Sequence, residues 1–526
     1  MSNQQLQFLI TDDIGFDDFA SQLVKTLSFE TEPARTLTRI WYDSFDWRLY
    51  KQGEELELVT NSRSTVMTRR SLNGSRGSSS QRIQEIPRFS QDLPDGPLRR
   101  DLGPVLEMRA LLPRLRIRSK VQTLVLRNKD EKIVLRLALE ENRAFHHQGK
   151  KPHKLGKRIR IEPVRGYPKA AERVARILRE EMKLAPAQDN LMLDGLAAIG
   201  RKAGDYSHKL NLKFDADMRS DEAARIVFRD LLAAMEINEP GTRQDLDSEF
   251  LHDFRVAIRR TRSALTQIKG VLPQKTVERF KAGFAWLGQI TSPTRDMDVY
   301  LLKFDDYHDS LPESVQDDLQ PLHEFLRKHQ KLEHASMVKA LDSARYRNLI
   351  QAWRKVLEAP IPETSRLPNA MRPISELASE RIWRMYRRAI KEGKAIDDDS
   401  PADDVHELRK TCKKLRYLME FFQSLYPADQ IRKLIKVLKL MQDILGDFQD
   451  YEVQVDKLKE FSRQMMDEKM ANPETLLAMG ILIDSLEKRQ HQCRQNVTAR
   501  FSAFSTPKHQ KQFRELFAPV SQQAKG

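Results

Sequence analysis

Cysteine is nearly absent from this chain, since only Cys412 and Cys493 occur among its 526 residues. No Cys/His spacing resembles a zinc site, and so few cysteines are typical of a reducing compartment. Long hydrophobic runs are also missing, because the most apolar segment, residues 476–486, is too short to span a bilayer. The N-terminus lacks the basic and apolar regions of a signal peptide. We therefore expect a cytoplasmic protein with no membrane segment.

Strand patterns are confined to the first part of the chain. Residues 38–43, 55–59 and 158–162 alternate as strands do, and strand-like runs within 114–145 flank a polar turn at 128–132. A helix is predicted over 168–183. From about residue 185 to 515 helical periodicity dominates, with breaks predicted near 238–241, Pro273, Pro293, 359–362, 397–401 and Pro427. The pattern indicates an α+β domain with a mostly antiparallel sheet, followed by an all-α domain.

Two distant stretches of the helical part each carry one histidine followed by a row of cations. In both, a histidine and three cations stand at offsets 0, +3, +7 and +10: His252, Arg255, Arg259 and Arg262 in the first, and His406, Arg409, Lys413 and Arg416 in the second. On an α-helix these offsets form one stripe about 80° wide and about 15 Å long. Arg260, Lys410 and Lys414 add further charge. Such a stripe suits a polyanion.

The opposite side of each helix is apolar. It carries Phe254, Ile258 and Leu265 in the first copy, and Leu408, Cys412, Leu415, Leu418, Met419 and Phe422 in the second. Each helix can therefore bury one face and present the other. On this basis we expect the side chains of Arg255, Arg259, Lys413 and Arg416 to point away from the core.

The similarity of the two stretches extends downstream. Leu287-Gly288 has a counterpart in Leu445-Gly446, and Asp296 lies as far from His252 as Asp450 lies from His406. We interpret this as an internal repeat, with copies at about 215–357 and 372–515, and expect two packed helical bundles whose basic helices lie close together. The acidic residues Asp296, Asp298, Asp450 and Glu452 are interpreted as partners of arginines rather than as metal ligands. Arg381, Arg384, Arg387, Arg388 and Lys391 form another cationic helix, which either lines the same groove or is a solvated face.

Segments 251–265, 287–299, 405–422 and 445–453 together resemble a CHAD domain, an all-helical duplicated domain built around histidine-containing basic helices. The resemblance covers about residues 215–515. It implies binding of inorganic polyphosphate, often with association with polyphosphate granules. The residues it implies are His252, Arg255, Arg259, Arg260 and Arg262, with His406, Arg409, Lys410, Lys413, Lys414 and Arg416. One asymmetry is Gln449, which stands where the first copy has Arg295.

The N-terminal part, about residues 1–210, is similar to a CYTH domain, the tunnel-shaped fold of triphosphatases and adenylate cyclases. Segments 38–58, 158–178 and 201–206 carry this resemblance. The family opens on a strand whose carboxylates hold a divalent metal, whereas this chain opens on Gln5 and Gln7. Glu55, Glu57 and Val59 stand where the family has basic residues, and Arg160 and Glu162 where it has paired acids. We therefore predict a degenerate domain with no metal site and no catalytic residues, since phosphoryl transfer needs a metal held by oxygen ligands.

The sequence thus favours a non-catalytic polyphosphate-binding protein without a cofactor. One alternative is a metal-dependent inorganic triphosphatase of CYTH–CHAD type with residual activity; another is a nonspecific polyanion or nucleic-acid binder. Nucleic acid is disfavoured because single-strand binders interleave aromatic residues, and the stripes carry only Tyr417. The two histidines are either phosphate donors or packing residues, and no partner of the N-terminal domain is implied.

Overall fold

The computed structural model describes residues 6–10, 15–61, 64–73, 77–146, 149–187, 190–207, 210–397 and 400–519. The chain divides into two compact units, Met1–His208 and Lys209–Gly526. The first is built on an antiparallel sheet and the second is helical, which confirms the predicted fold class.

A single sheet organises the N-terminal unit. Its described strands are β1 (Gln7–Ile10), β2 (Glu30–Thr31), β3 (Arg35–Asp43), β4 (Glu54–Thr60), β5 (Thr65–Ser71), β6 (Ser79–Arg82), β7 (Leu112–Arg127), β8 (Ile133–Phe145), β9 (His153–Lys154) and β10 (Lys157–Pro163). They pair antiparallel in the order β1-β10-β8-β7-β3-β4-β5-β6, with β2 added to β7 and β9 to β8.

Helices pack on both faces of this sheet, and the one that begins at Leu191 lies on the same face as Trp41, Leu115 and Ile117. The helices are α1 (Phe16–Leu27), α2 (Arg48–Lys51), α3 (Pro97–Leu106), α4 (Pro168–Arg176) and α5 (Leu191–Ala198). Side chains of a strand alternate between faces, so Leu56 and Leu58 of β4 are buried with residues of α3 while Glu55 and Glu57 point the other way. Helices α1 and α4 bury the matching face of β1, β8 and β10.

Most elements predicted for this unit are present. The strands predicted at 38–43, 55–59 and 158–162 are β3, β4 and β10, and the polar turn at 128–132 joins β7 to β8. The predicted helix at 168–183 is α4, which continues as a π-helical turn at Ile177–Glu181. The sequence did not predict β5, β6 or α3; the glycine- and serine-rich stretch at 71–80, in which β6 begins, and the turn residues at 94–97, at the start of α3, indicated a flexible insertion instead.

The helical unit is the longer of the two. It consists of α6 (Ser220–Arg243), α7 (Ser248–Gln267), α8 (Gln274–Ile290), α9 (Ser292–Leu302), α10 (Phe304–Asp309), α11 (Gln320–Leu341), α12 (Ala344–Glu358), α13 (Ile374–Lys394), α14 (Ala402–Phe422), α15 (Ala428–Asp467), α16 (Pro473–Phe504) and α17 (Pro507–Phe517). None of the described helices has the length and apolarity that a membrane span requires.

The two repeats of this unit pack together in shared hydrophobic clusters. A constant offset of 154 residues relates His252 to His406 and the first residue of α6 to the first residue of α13. An isolated β-bridge joins Arg219 to Pro373, which are also 154 residues apart. The largest hydrophobic cluster contains buried residues from α6, α7 and α8 together with residues from α13, α14 and α15. Neither repeat therefore encloses a core by itself.

The repeats differ in the segment that follows Gly288 in the first copy and Gly446 in the second. Six residues separate Gly288 from Arg295, whereas two separate Gly446 from Gln449. The extra turn contains Pro293, whose ring cannot continue a regular helix, and the first repeat accordingly divides into α8 and α9. The second repeat runs through the same region as the single 40-residue helix α15.

The predicted helix break at 238–241 is wrong. Helix α6 continues through Pro240 to Arg243, because proline lies only three residues before its end and the ion pair of Arg243 with Glu239 (2.7 Å) spans it. Gly241 is required there: an added Cβ would lie 2.3 Å from Cδ1 of Phe250 in α7. The break falls instead after Arg243, between α6 and α7.

Candidate functional site

The two predicted basic helices, α7 and α14, lie side by side. Asp247 caps the start of α7, where its carboxylate accepts hydrogen bonds from the backbone N–H groups of Glu249 and Phe250. The apolar residues predicted for the two buried faces are all buried. Between the helices, Arg259 Nε donates a hydrogen bond to the Tyr417 hydroxyl (2.7 Å), and Arg260 pairs with Glu420 (2.8 Å).

Four of the predicted site residues form what we call the cationic cluster: Arg259 of α7 with Arg409, Lys413 and Arg416 of α14. Arg409 pairs with Asp450 (3.1 Å) and Arg416 with Glu420 (3.5 Å). Among the described residues, neither Arg259 nor Lys413 forms an ion pair. Burial, followed by repulsion from Arg409 and Arg259, lowers the pKa of Lys413 to about 7, against the attraction of Asp450. The cluster therefore has more positive charge than its carboxylates neutralise.

Arg255 differs from the expectation that it points away from the core. Its guanidinium turns to the junction of α8 and α9, where it donates to the carbonyl of Gly288 (2.9 Å) and to the hydroxyls of Thr291 (2.7 Å) and Ser292 (3.2 Å). Burial lowers its pKa to about 10, although Asp296 opposes this shift. The inserted turn of the first repeat thus supplies the partners of Arg255, and its main contacts are structural.

The histidines at the start of each stripe have equivalent neighbours. His252 Nδ1 lies 3.1 Å from Arg295 Nη2, and His406 Nδ1 contacts Gln449 Oε1. Arg295 can only donate, so His252 Nδ1 accepts. The Gln449 amide donates to Glu452 (3.2 Å), which leaves its oxygen to accept from His406 Nδ1. The Arg295/Gln449 asymmetry seen in the sequence therefore gives the two rings opposite hydrogen-bond roles at Nδ1.

The remaining predicted residues lie around the cationic cluster. Arg262 is exposed and passes over Gly288, where an added Cβ would lie 3.4 Å from its Nη1. Lys410 pairs with Glu407 on the solvent side. Lys414 faces Arg388 of α13, and burial followed by repulsion from Arg388 lowers its pKa. Arg388 was left undecided by the sequence, since periodicity alone does not show what a cationic face contacts.

Tyr417 is the residue whose role sequence reasoning missed. Its helical position placed it on the basic stripe as an exposed aromatic, but it is buried between α7 and α14. The guanidinium groups of Arg260 and Arg416 lie 5.7 and 5.6 Å from its ring centroid. The ring therefore holds arginines from both repeats and leaves no aromatic surface for a stacked base.

The concave face of the N-terminal sheet encloses a separate cavity of about 420 Å³. The degenerate positions inferred from sequence line it together: Gln7, Glu55, Glu57, Val59, Arg160 and Glu162. Gln5 lies outside the described residues. Three further charged residues, Arg39, Arg70 and Glu140, also line the cavity.

Charges in this cavity pair with each other. Arg39 and Arg160 both contact Glu140, at 2.7 and 3.0 Å, and Arg160 also pairs with Glu162 (2.7 Å). Burial raises the pKa of Glu140, but the two arginines outweigh it and the net pKa is lowered.

On the neighbouring strands, Arg70 pairs with Glu57 (2.5 Å). Burial, reinforced by Glu57, raises the pKa of Glu55 to about 7. The described residues contain no group of three or more His, Cys, Asp or Glu that could hold a metal ion. Because arginines pair closely with Glu57, Glu140 and Glu162, this cavity does not fit the divalent metal that a triphosphate-tunnel enzyme needs.

A match to a known protein family lies within the helical unit. The sequence profile of the CHAD domain matches residues 226–459. The helical unit contains a CHAD domain. The match includes α7, α14 and every residue of the cationic cluster. No curated protein matches the chain.

Several solved structures are similar to parts of the chain. The CHAD domain from the plant Ricinus communis is 25% identical, covers 56% of this chain and 95% of its own, and aligns with a TM-score of 0.47. PptA from Streptomyces chartreusis is 16% identical over 54% of this chain and 99% of its own, with a TM-score of 0.43. A protein from Hippeastrum with a dominant triphosphatase activity is 13% identical over 38% of this chain and 97% of its own, with a TM-score of 0.26.

Proposed function

We propose that the CHAD domain of this protein binds inorganic polyphosphate on the cationic cluster and does not hydrolyse it. One observation carries the proposal: Arg259, Arg409, Lys413 and Arg416 converge from both repeats, and burial followed by repulsion from these arginines lowers the pKa of Lys413 to about 7. Such repulsion destabilises the ligand-free protein and is relieved by a polyanion. A role connected with polyphosphate or triphosphate also agrees with the family.

The chemistry of polyphosphate fits the cluster. The polymer has one negative charge per internal phosphate and no base or ring to recognise, so a row of cations is sufficient. Arginine forks can each hold two phosphate oxygens, and Lys413 supplies a point charge between them. His252, Arg262 and His406 extend the row, whereas Arg255 and Arg260 are largely held by protein partners. Release of counterions from the polymer would make binding strongly salt-dependent, by analogy with nucleic acids.

The N-terminal unit has a different part in this proposal. Its cavity lies on the sheet face that would form a tunnel, but arginines pair there with Glu140, Glu57 and Glu162. We assign it no phosphoryl transfer. Cytoplasmic polyphosphate granules are the location that the proposed ligand suggests.

A titration tests the proposal. The purified protein is titrated with long-chain polyphosphate at several salt concentrations, with and without magnesium, and phosphate release is assayed in the same samples. Salt-sensitive binding without phosphate release is the expected result. Magnesium-dependent release would instead establish a residual triphosphatase, and equal competition by DNA would establish a nonspecific polyanion binder.

A further inference from the structure

A second cavity, of about 720 Å³, lies within the helical unit away from the cationic cluster. The end of α7, the start of α8, the segment Leu367 and Pro368, and one face of α13 enclose it. Its cationic lining consists of Lys269, Lys281, Arg381, Arg384, Arg388 and Lys414. Glu278 is the one carboxylate among the described lining residues, and it accepts a hydrogen bond from Gln274 (2.8 Å). We call this cavity the α13 pocket.

Arg381 is the distinctive residue of the α13 pocket. Its side chain is only 6% exposed, and among the described residues it has no ion pair. Its Nε is shielded from solvent and has no hydrogen-bond partner. Burial, with repulsion from Arg384, lowers its pKa, although Glu380 opposes this. A buried guanidinium whose Nε has no partner is costly to the fold, and because Arg381 lines the cavity, an anion bound there would supply the missing partner.

The internal repeat shows that the helix does not require this charge. The offset of 154 residues places Val227 of α6 at the position of Arg381, and Val227 is completely buried. The same offset places Asp230 and Ala234 at the positions of Arg384 and Arg388. An apolar side chain therefore satisfies the packing of the first repeat where the second has a buried cation.

The other lining residues of the α13 pocket indicate which chemical groups a bound anion can carry. Arg384 and Arg388 are partly neutralised within their helix, by Glu380 (3.8 Å) and Glu392 (2.5 Å), so Arg381 remains the unneutralised cation at depth. Leu272, Val277, Pro368 and Met385 supply apolar surface beside it. The pocket therefore combines a buried guanidinium with room for more than a bare phosphate ion.

We propose that the α13 pocket binds the terminal phosphate of a small phosphate compound, with Arg381 as its anchor. The terminal phosphate could belong to an inorganic triphosphate chain or to an organic phosphate such as a nucleotide, since both present the same group. The site is distinct from the cationic cluster and needs no polyphosphate binding there, although Lys414 lies between the two.

Calorimetric titration of the full chain with inorganic triphosphate and with ATP tests this site. Arg381→Met keeps a long side chain without charge, and Arg387→Met makes the same change at an exposed position of α13 outside the pocket. We expect Arg381→Met to weaken at least one probe by roughly tenfold or more, the effect of losing a charged hydrogen-bonding partner, while Arg387→Met changes little. ATP bound more tightly than triphosphate would assign the organic source, and the reverse would assign the inorganic one.

Loss of folding is not expected to account for weaker binding by the Arg381→Met variant. Arg381→Met removes a buried unpartnered charge, so without phosphate it should melt at a temperature no lower than that of the unchanged protein. Absence of binding for both probes, or equal binding by the Arg381→Met and Arg387→Met variants, would overturn the proposal.

The cationic cluster is tested separately in a variant carrying Arg259→Ala and Lys413→Met. That variant should no longer bind long-chain polyphosphate tightly, but it should still bind the small phosphate probe whose binding depends on Arg381. If this variant instead fails to bind the small phosphate probe while the Arg381→Met variant still binds it, then small phosphates bind at the cationic cluster and the α13 pocket is not a binding site.

Discussion

Arg259 Nε donates a hydrogen bond to the hydroxyl of Tyr417 at 2.7 Å, and this contact joins the basic helix of one repeat to the basic helix of the other. The two residues come from different copies of the internal repeat and are 158 residues apart, so no local sequence motif contains both. The contact fixes the direction of a guanidinium that has no carboxylate partner among the described residues. The site is thus assembled by the packing of the repeats.

Replacing Tyr417 with Phe tests that contact. The variant keeps the buried ring but frees Arg259, so we expect polyphosphate affinity to fall about threefold and the free energy of unfolding to fall by about 1 kcal/mol. Tyr386→Phe is the matched control, because its buried hydroxyl has no hydrogen-bond partner. Identical binding curves for the two variants would show that Tyr417 does not orient Arg259.

Lys413 predicts a pH dependence of binding. Burial, followed by repulsion from Arg409, Arg259 and Arg416 against the attraction of Asp450, lowers its pKa to about 7. Protonation adds the charge that a polyanion attracts, so affinity for long-chain polyphosphate should rise as the pH falls from 8.5 to 6. Lys413→Arg, which stays charged throughout, should flatten this profile, as measured by fluorescence anisotropy at constant salt.

Two controls accompany the pH series. His406 stands at the start of the same basic stripe and contacts Gln449, so a His406→Gln variant separates its contribution from that of Lys413. Lys410→Arg makes the same substitution on the solvent side of α14, where Lys410 pairs with Glu407, and should leave the profile unchanged. A profile that remains steep in the Lys413→Arg variant would assign the dependence to another group.

Arg255 and Arg409 occupy matching positions but should differ in stability effects. Arg255→Ala leaves the carbonyl of Gly288 and two hydroxyls without their donor, so we expect the free energy of unfolding to fall by about 2–3 kcal/mol. Arg409→Ala removes one ion pair with an Asp450 side chain that is half exposed, and should lower it by about 1 kcal/mol or less. Urea unfolding followed by circular dichroism measures both; a larger loss for Arg409→Ala would contradict this assignment.

Spacing along the sequence made the basic helices predictable. The matched offsets identified both stripes and both buried faces because helical periodicity determines which side chains share a face. Periodicity does not determine partners across helices. Arg255 and Arg409 are equivalent in pattern, yet the inserted turn before Arg295 gives one a set of hydroxyls and leaves the other to a carboxylate.

The same limit applies to the cations of α13 and to the N-terminal cavity. Arg381 and Arg387 look alike in sequence, but α8 and the segment near Pro368 cover one and leave the other exposed. In the sheet, the alternation predicted that Glu55 and Glu57 share a face. Their arginine partners, Arg39 and Arg70, lie on the two strands that pair with β4, and which side chains meet depends on the strand register.

Glu55 gives the last prediction. Its ordinary pKa of 4.5 rises to about 7 in the folded protein, chiefly through burial and then through Glu57. A carboxyl group with a raised folded pKa stabilises the fold fully below about pH 4.5, and this contribution is lost as the pH rises through about 7. Glu55→Gln keeps an acceptor for Trp41 Nε1 and Asn190 Nδ2 but carries no charge. The free energy of unfolding of the variant, minus that of the unchanged protein, should therefore rise by about 2 kcal/mol when the pH is raised from 5 to 8.

The matched control for Glu55 is Glu162→Gln in the same cavity. Glu162 pairs with Arg160 at 2.7 Å, so its replacement removes a favourable partner and should give no gain at high pH. Thermal melts at pH 5 and pH 8 compare the two variants directly. If Glu55→Gln also shows no gain at pH 8, then the Glu55 carboxylate is compensated by the arginines around it. The cavity interior would then be fully charge-balanced, which would strengthen the case against a metal-dependent reaction there.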